Sequence, residues 1–321
     1  MWTLKNQILL AGLAITVAAI VFYQKINVDS KTSLHDKMLQ SVSAHNHENA
    51  LIYADQLLQI DPSNRKAKQI LTNSGQIFYY LQAAKSTLTN FIVNNEPPTD
   101  PKQLYKQFNK ARVYVAKAVA IDPHSLSTTH FEETLDKDQT TLIHLISIDI
   151  FNSAQRVIDT AGSSYRKTQK ILNTAETSQY LATFLPYQSA WASVDSSHQK
   201  VREKTLPELD EMIATGQLMS EYKQGKSRNY TKLLVTYIDQ VQKTVDTLIA
   251  TKGSYDDFSK SAKSATTMYE KLQSKLVKQI PDATTKSGTF SKLLTALPKY
   301  QIAQNSKIAN IINANETLYT L

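Results

Sequence analysis

The sequence predicts an all-α fold that has one N-terminal transmembrane helix, then antiparallel helix pairs, then a helical bundle. Only 7 glycines and 9 prolines occur among 321 residues, which is too few turn formers for a many-stranded sheet. Apolar residues recur at intervals of three and four along most of the chain. We therefore divide the chain into a membrane anchor over 1–25, a region of helix pairs over 26–130 and a C-terminal helical domain over 131–321.

The strongest local signal is the apolar segment from Ile8 to Tyr23, which contains no charged residue and is bounded by Lys5 and Lys25. A helix of about 20 residues crosses about 30 Å of hydrocarbon, and this matches the separation of the two lysines. A cleaved signal peptide and a buried helix are the alternatives. We expect a signal anchor that binds the lipid bilayer through this segment. The N-terminus would be cytoplasmic and the bulk of the chain periplasmic or extracellular.

Two later segments resemble each other closely enough to be an internal repeat. They are ENALIYADQLLQIDPSN and NKARVYVAKAVAIDPHS, and in each an alanine precedes the proline of Ile-Asp-Pro by twelve residues. Small and apolar residues at helical spacing predict a helix that a neighbour approaches closely, and the proline predicts its end. The residues that define the repeat are Ala50, Leu57, Pro62, Ala111, Ala118 and Pro123.

On these residues the N-terminal half resembles the tetratricopeptide repeat (TPR) family, whose second helix carries small residues before a similar proline turn. The resemblance implies stacked antiparallel helix pairs that present a groove to a protein partner. The two clear matches lie 61 residues apart, so a shortened middle unit is needed between them. We assign its two helices to 66–80 and 84–93.

Long amphipathic helices are predicted beyond the repeat. One apolar stripe runs from Tyr230 to Ile249, and a second from Ala262 to Ile280 supplies its partner. The order Thr205-Leu206-Pro207-Glu208 predicts a helix start, because threonine can cap, proline suits the first turn and glutamate can reach back.

The sequence offers no catalytic, cofactor-binding or metal-binding constellation. Cysteine is absent, which excludes disulfides and thiolate chemistry. The seven glycines are dispersed and build no phosphate loop. His45 and His47 are interpreted as a satisfied or exposed pair rather than as metal ligands. We therefore expect no cofactor and predict that the chain is not an enzyme.

Charge and tyrosine content point to binding. The net charge is +8, but the lysines are scattered rather than clustered, so no specific nucleic-acid binding is expected. Tyrosine is common at binding surfaces because it joins a large apolar ring to a polar tip. Four tyrosines of the repeat region are the candidate partner-binding residues: Tyr79, Tyr80, Tyr105 and Tyr114.

These observations favour a membrane-anchored interaction or scaffold protein that presents a protein-binding surface in a cell-envelope complex. Two alternatives stay open. One is an envelope enzyme whose site combines dispersed carboxylates and histidines of the C-terminal domain. The other is a lysine-rich protein that binds anionic polymer or lipid.

Overall fold

The computed structural model describes residues 30–93, 100–179, 185–221, 227–250 and 255–319, and no strand occurs among them. The all-α prediction is confirmed. The helices are α1 (30–43), α2 (His47–Ile60), α3 (Arg65–Val93), α4 (Pro101–Ile121), α5 (Leu126–Gln179), α6 (Leu185–Ser220), α7 (Arg228–Leu248), α8 (Tyr255–Val277), α9 (Thr289–Ala296), a 3-10 turn (Leu297–Lys299), α10 (Lys307–Ala314) and α11 (Glu316–Tyr319).

The predicted membrane anchor is corrected by this structure. Among the described residues, no helix combines the length and the apolar surface needed to cross a bilayer. The longest helix, α5, has 54 residues but carries charged side chains along its whole length, and each would be costly in hydrocarbon. The finding contradicts both the transmembrane helix and the single-pass location. The segment from Ile8 to Tyr23 lies outside the described residues.

The described residues form two compact units, and each is treated by itself below. Unit 1 comprises residues 30–93, 110–135 and 296–319, and unit 2 comprises 100–109, 136–179, 185–221, 227–250 and 255–295. The sequence-based division places 131–321 in one domain. In the structure the last helices, α10 and α11, instead pack against α2 and α3 of unit 1.

The core of unit 1 is formed by the first three described helices, α1 to α3, together with the last two, α10 and α11. Apolar residues of α1, α2 and α3 surround Ile308, Ile312 and Tyr319 from the C-terminal helices. All of these side chains are removed from water, and each large one contributes about 2 kcal/mol of hydrophobic stabilisation. Tyr300 adds a second connection, because its carbonyl accepts from Lys85 Nζ at 2.7 Å and its ring packs edge-on against Phe131.

The connection between α1 and α2 explains where α1 ends and where α2 begins. The backbone N–H groups of His45 and Asn46 donate to the carbonyls of Val42 and Ser41, which is the Schellman pattern that terminates a helix. His45 has a φ of 54°, at a position where glycine is the usual residue. Asn46 then caps α2 by accepting from the N–H of Asn49 at 3.0 Å.

The two Ile-Asp-Pro segments fold into equivalent turns. Asp61 Oδ1 accepts from the N–H of Ser63, and Asp122 Oδ1 accepts from the N–H of His124. The next residue caps the following helix in both turns. The capping pairs are Asn64 with the N–H of Ala67 and Ser125 with the N–H of Thr128.

The second turn is also the centre of a polar cluster that we call the Asp122 clasp, formed by His45, His47, Ser74, Asp122 and His124. Asp122 Oδ2 accepts from His45 Nδ1 at 2.8 Å and from His47 Nε2 at 2.6 Å. The other nitrogen of His47 lies 3.0 Å from Ser74 Oγ on α3. The clasp therefore joins the α1–α2 connection, the middle of α3 and the end of α4.

The pKa of Asp122 reflects these contacts. Burial raises the pKa of this carboxyl, but hydrogen bonds from His47, His45 and the His124 N–H outweigh burial and lower it from 3.8 to about 2. The contribution of these hydrogen bonds to the free energy of unfolding is therefore complete above the ordinary pKa of the carboxyl. It is lost as the pH falls towards 2.

The region assigned to a shortened middle unit is one uninterrupted helix, α3, of 29 residues. Residues 81–84 read Leu-Gln-Ala-Ala, all good helix formers, so nothing in the local sequence ends the helix there. α6 likewise continues through Pro207, where the sequence predicts a helix start. Thr205 Oγ1 donates back to the carbonyl of Val201 at 2.9 Å instead of capping.

The paired stripes predicted in unit 2 are present in α7 and α8. The stripe residues of α7 from Tyr230 to Leu248 are buried, and Tyr237 stacks on Tyr269 of α8 with ring centroids 5.7 Å apart. Met268 departs from the prediction, because 49% of it remains exposed. Helices α6, α7 and α8 thus pack in series within unit 2.

We predict that Asp122→Asn destabilises the protein by about 2 kcal/mol at pH 7, because an amide NH2 group cannot accept from an imidazole N–H. The loss should shrink as the pH falls from about 4 towards 2, where the wild-type carboxyl becomes protonated. Urea unfolding at a series of pH values measures both effects.

Asp61→Asn is the matched control, because Asp61 occupies the equivalent position in the turn after α2 but pairs with the partly exposed Lys31. We expect a smaller loss from this variant. Equal losses in the two variants would mean that the turn, and not the clasp, is the stabilising feature.

Candidate functional site

The structure brings three of the four candidate tyrosines together. Tyr79 and Tyr80 lie on α3 and Tyr114 lies on α4, all in unit 1 and all half-buried. Tyr105 differs from them, because it is fully buried and belongs to unit 2. It packs as a core residue and presents no surface to a partner.

Lys117 is the residue that connects the three tyrosines into one surface. Its Nζ lies 5.4 Å from the centre of the Tyr80 ring and 5.7 Å from that of Tyr114, which are cation–π distances. Tyr79 meets Tyr80 edge-on with ring centroids 5.7 Å apart. We call Tyr79, Tyr80, Tyr114 and Lys117 the tyrosine–lysine surface.

The exposed face of α4 extends this surface. Val113 and Tyr114 follow Lys110 by three and four residues and precede Lys117 by four and three, so the four residues lie on one side of the helix. Both lysines are exposed, and so is 58% of Val113. Of these four residues only Tyr114 is predicted from its residue type, although the same helical spacing marks its three neighbours.

Tyr79 is held at the edge of the surface by the C-terminal helix α11. The ring of Tyr319 lies 6.3 Å from that of Tyr79 and is only 1% exposed. Gly75, one turn before Tyr79 on α3, makes this approach possible, because a Cβ atom at position 75 would overlap the Tyr319 ring.

The repeat-defining residues lie where their pattern places them on helices and turns. Ala50, Leu57, Ala111 and Ala118 are fully buried. The two prolines, Pro62 and Pro123, are exposed in the equivalent turns after α2 and α4. All six act in packing and chain direction, and none contributes to the tyrosine–lysine surface.

The Asp122 clasp has the residue types of a nucleophilic triad but not its accessibility. Ser74, His47 and Asp122 form a continuous chain of hydrogen bonds. However, Ser74 is 1% exposed and lies in the middle of α3, so no substrate carbonyl can reach its hydroxyl. No group of three or more histidines and carboxylates among the described residues could hold a metal ion. The geometry makes the clasp structural.

Unit 2 contains a charged cleft of about 450 Å³ between the start of α4 and the middle parts of α5 and α6. Six ionisable residues line it: Asp100, Lys102, Asp149, Arg156, Glu208 and Glu211. Such a convergence is what the enzyme alternative requires. No histidine is among the described residues that line this cleft.

Most charges of the cleft have structural partners. Lys102 Nζ pairs with Glu211 at 2.5 Å, and Arg156 Nε pairs with Glu208 at 3.1 Å. Asp100 Oδ1 caps α4 by accepting from the N–H of Lys102. Burial raises the pKa of Asp149; Lys102 opposes the shift, while Asp100 and Glu211 add to it. Ion pairs therefore account for much of the lining, and the cleft alone does not test for catalysis. The enzyme alternative stays a prediction.

Comparison with known proteins finds no matching family model, no matching curated protein and no matching solved structure.

We predict that Gly75→Ala destabilises the protein by about 1–3 kcal/mol, because the added methyl group forces the buried Tyr319 ring away from α3. Gly162→Ala is the matched control on α5, where the nearest atom to a new Cβ is Arg166 Nη1 at 3.8 Å. That variant should gain up to about 1 kcal/mol from helix propensity. Thermal unfolding of both variants tests this, and stabilisation by Gly75→Ala would contradict the packing of Tyr319.

Proposed function

We propose that this chain is a helical interaction protein that binds a protein partner through the tyrosine–lysine surface of unit 1. The observation that carries the proposal is the position of Lys117, exposed between two half-buried tyrosine rings. Tyrosine is enriched among the residues that dominate binding energy at protein interfaces. The proposal includes no membrane location.

The rigidity of the surface supports this proposal. Tyr79 and Tyr80 lie on a helix of 29 residues and Tyr114 on a helix of 21, so their backbones are already ordered before a partner arrives. Each ring is also partly buried, which limits the rotamers it can lose. Binding therefore costs little conformational entropy at these residues.

The repeat-related turns also support the proposal. Equivalent turns follow α2 and α4, and small buried residues line both helices before the turns. This is the basis of the resemblance to TPR proteins, in which stacked helices present a binding groove. The resemblance to that family and the scaffold role remain parts of the proposal.

We predict that a photo-crosslinking residue, p-benzoylphenylalanine, captures the partner when it replaces Tyr80 or Tyr114 in the full-length chain in its native cells. The control replaces Tyr165, a half-buried tyrosine on α5 of unit 2. Adducts at the first two positions and not at the third are expected. For a captured partner, Tyr114→Ala should weaken binding about tenfold or more.

Two outcomes would contradict the proposed function. One is an equal yield of the same adduct from Tyr165, since that would reflect random contact. The other is an absence of adducts from both surface positions while the protein remains folded by thermal unfolding.

A further inference from the structure

The long helices of unit 1 are one-sided in charge. α3 contains four basic residues and no acidic residue, and the part of α4 that belongs to unit 1, 110–121, contains three basic residues and no acidic residue. Mixed signs are usual on solvated helices, because oppositely charged neighbours stabilise the helix. The two helices themselves therefore contribute only positive charge to a surface built from them.

Three acidic residues of unit 1, Asp61, Asp122 and Glu48, are engaged in structural contacts. Asp61 pairs with Lys31, and Asp122 is held in the clasp. Glu48 accepts from the backbone N–H groups of Gln304 and Asn305. Each of these carboxylates stabilises a turn or a chain connection of unit 1.

Lys110 and Lys117 differ from Lys85 and Lys102, which lie on the same two helices. Lys85 donates to the carbonyl of Tyr300 and Lys102 pairs with Glu211. Lys110 and Lys117 are exposed, and neither forms an ion pair with any residue in the described part of the chain. Their ammonium groups are available to a partner.

The geometry of α4 defines what a partner must present. Lys110 and Lys117 are two helical turns apart, a distance of about 10 Å along the axis. Val113 and Tyr114 lie between them on the same face. The face thus consists of two cationic groups on either side of an apolar and aromatic centre.

From this arrangement we propose that the partner docks an acidic protein segment on the exposed face of α4. The segment carries two carboxylates about 10 Å apart and an apolar side chain between them. This corresponds to a spacing of about seven residues in a helix or three in an extended strand. The inference rests on the proposed function and specifies its partner.

A protein segment fits the centre of this face better than an anionic polymer or a lipid headgroup does. Val113 is more than half exposed, and an apolar contact with it contributes only if the ligand is apolar at that point. A polyphosphate or a phospholipid headgroup offers charge alone. The carboxylates would guide association and the apolar side chain would hold the complex.

The test is selection of random twelve-residue peptides displayed on phage against the full-length protein. We expect the wild type to enrich peptides with paired acidic residues around an apolar residue. In Lys110→Glu/Lys117→Glu these peptides should lose affinity more than about tenfold, and basic peptides should be enriched in their place. Lys271→Glu/Lys278→Glu is the control, because it reverses two exposed lysines at the same spacing in unit 2.

The outcomes separate the inference from the proposed function. Peptides without acidic residues that crosslink at Tyr114 would overturn the acidic segment and leave the binding surface intact. Selected peptides that never crosslink at Tyr80 or Tyr114 would contradict the proposed function itself. An equal loss in the control variant, or equally tight binding of polyphosphate or of phosphatidylglycerol vesicles, would also overturn the inference.

Discussion

The Asp122 carboxylate organises unit 1 because it accepts N–H groups from His45, His47 and His124 at the same time. An ionised carboxylate only accepts hydrogen bonds, so each of these groups must donate to it. Through His47 the contact extends to Ser74 on α3. His45 adopts a positive φ to take part, at a cost of about 1 kcal/mol for a residue that is not glycine. The charge-assisted hydrogen bond offsets that cost.

The proposed binding surface depends on the same contact. Tyr80 follows Ser74 by six residues on α3, and Lys117 precedes Asp122 by five residues at the end of α4. The clasp therefore fixes the two helix segments that bring Tyr80, Tyr114 and Lys117 together. Tyr319 supports Tyr79 from the other side through its contact with Gly75. A partner would meet a surface that is already formed.

Local features could be predicted from the sequence, and features that need distant contacts could not. Proline stops and apolar stripes act within a few residues, so the ends of α2 and α4 and the buried face of α7 follow from their own segments. The clasp joins residues more than seventy positions apart, and His45 and His47 alone gave no sign of it. The return of α10 and α11 to unit 1 and the burial of Tyr105 also depend on packing that periodicity does not specify.

Nitrogen-15 NMR of the histidine rings at pH 7 tests the central role of the clasp most directly. Because Asp122 only accepts, we predict a proton on His47 Nε2 and on His45 Nδ1, both protected from exchange with water and both losing that protection in Asp122→Asn. A His47 ring that carries its proton only on Nδ1, or ring protons that exchange as fast as those of free imidazole, would contradict the account.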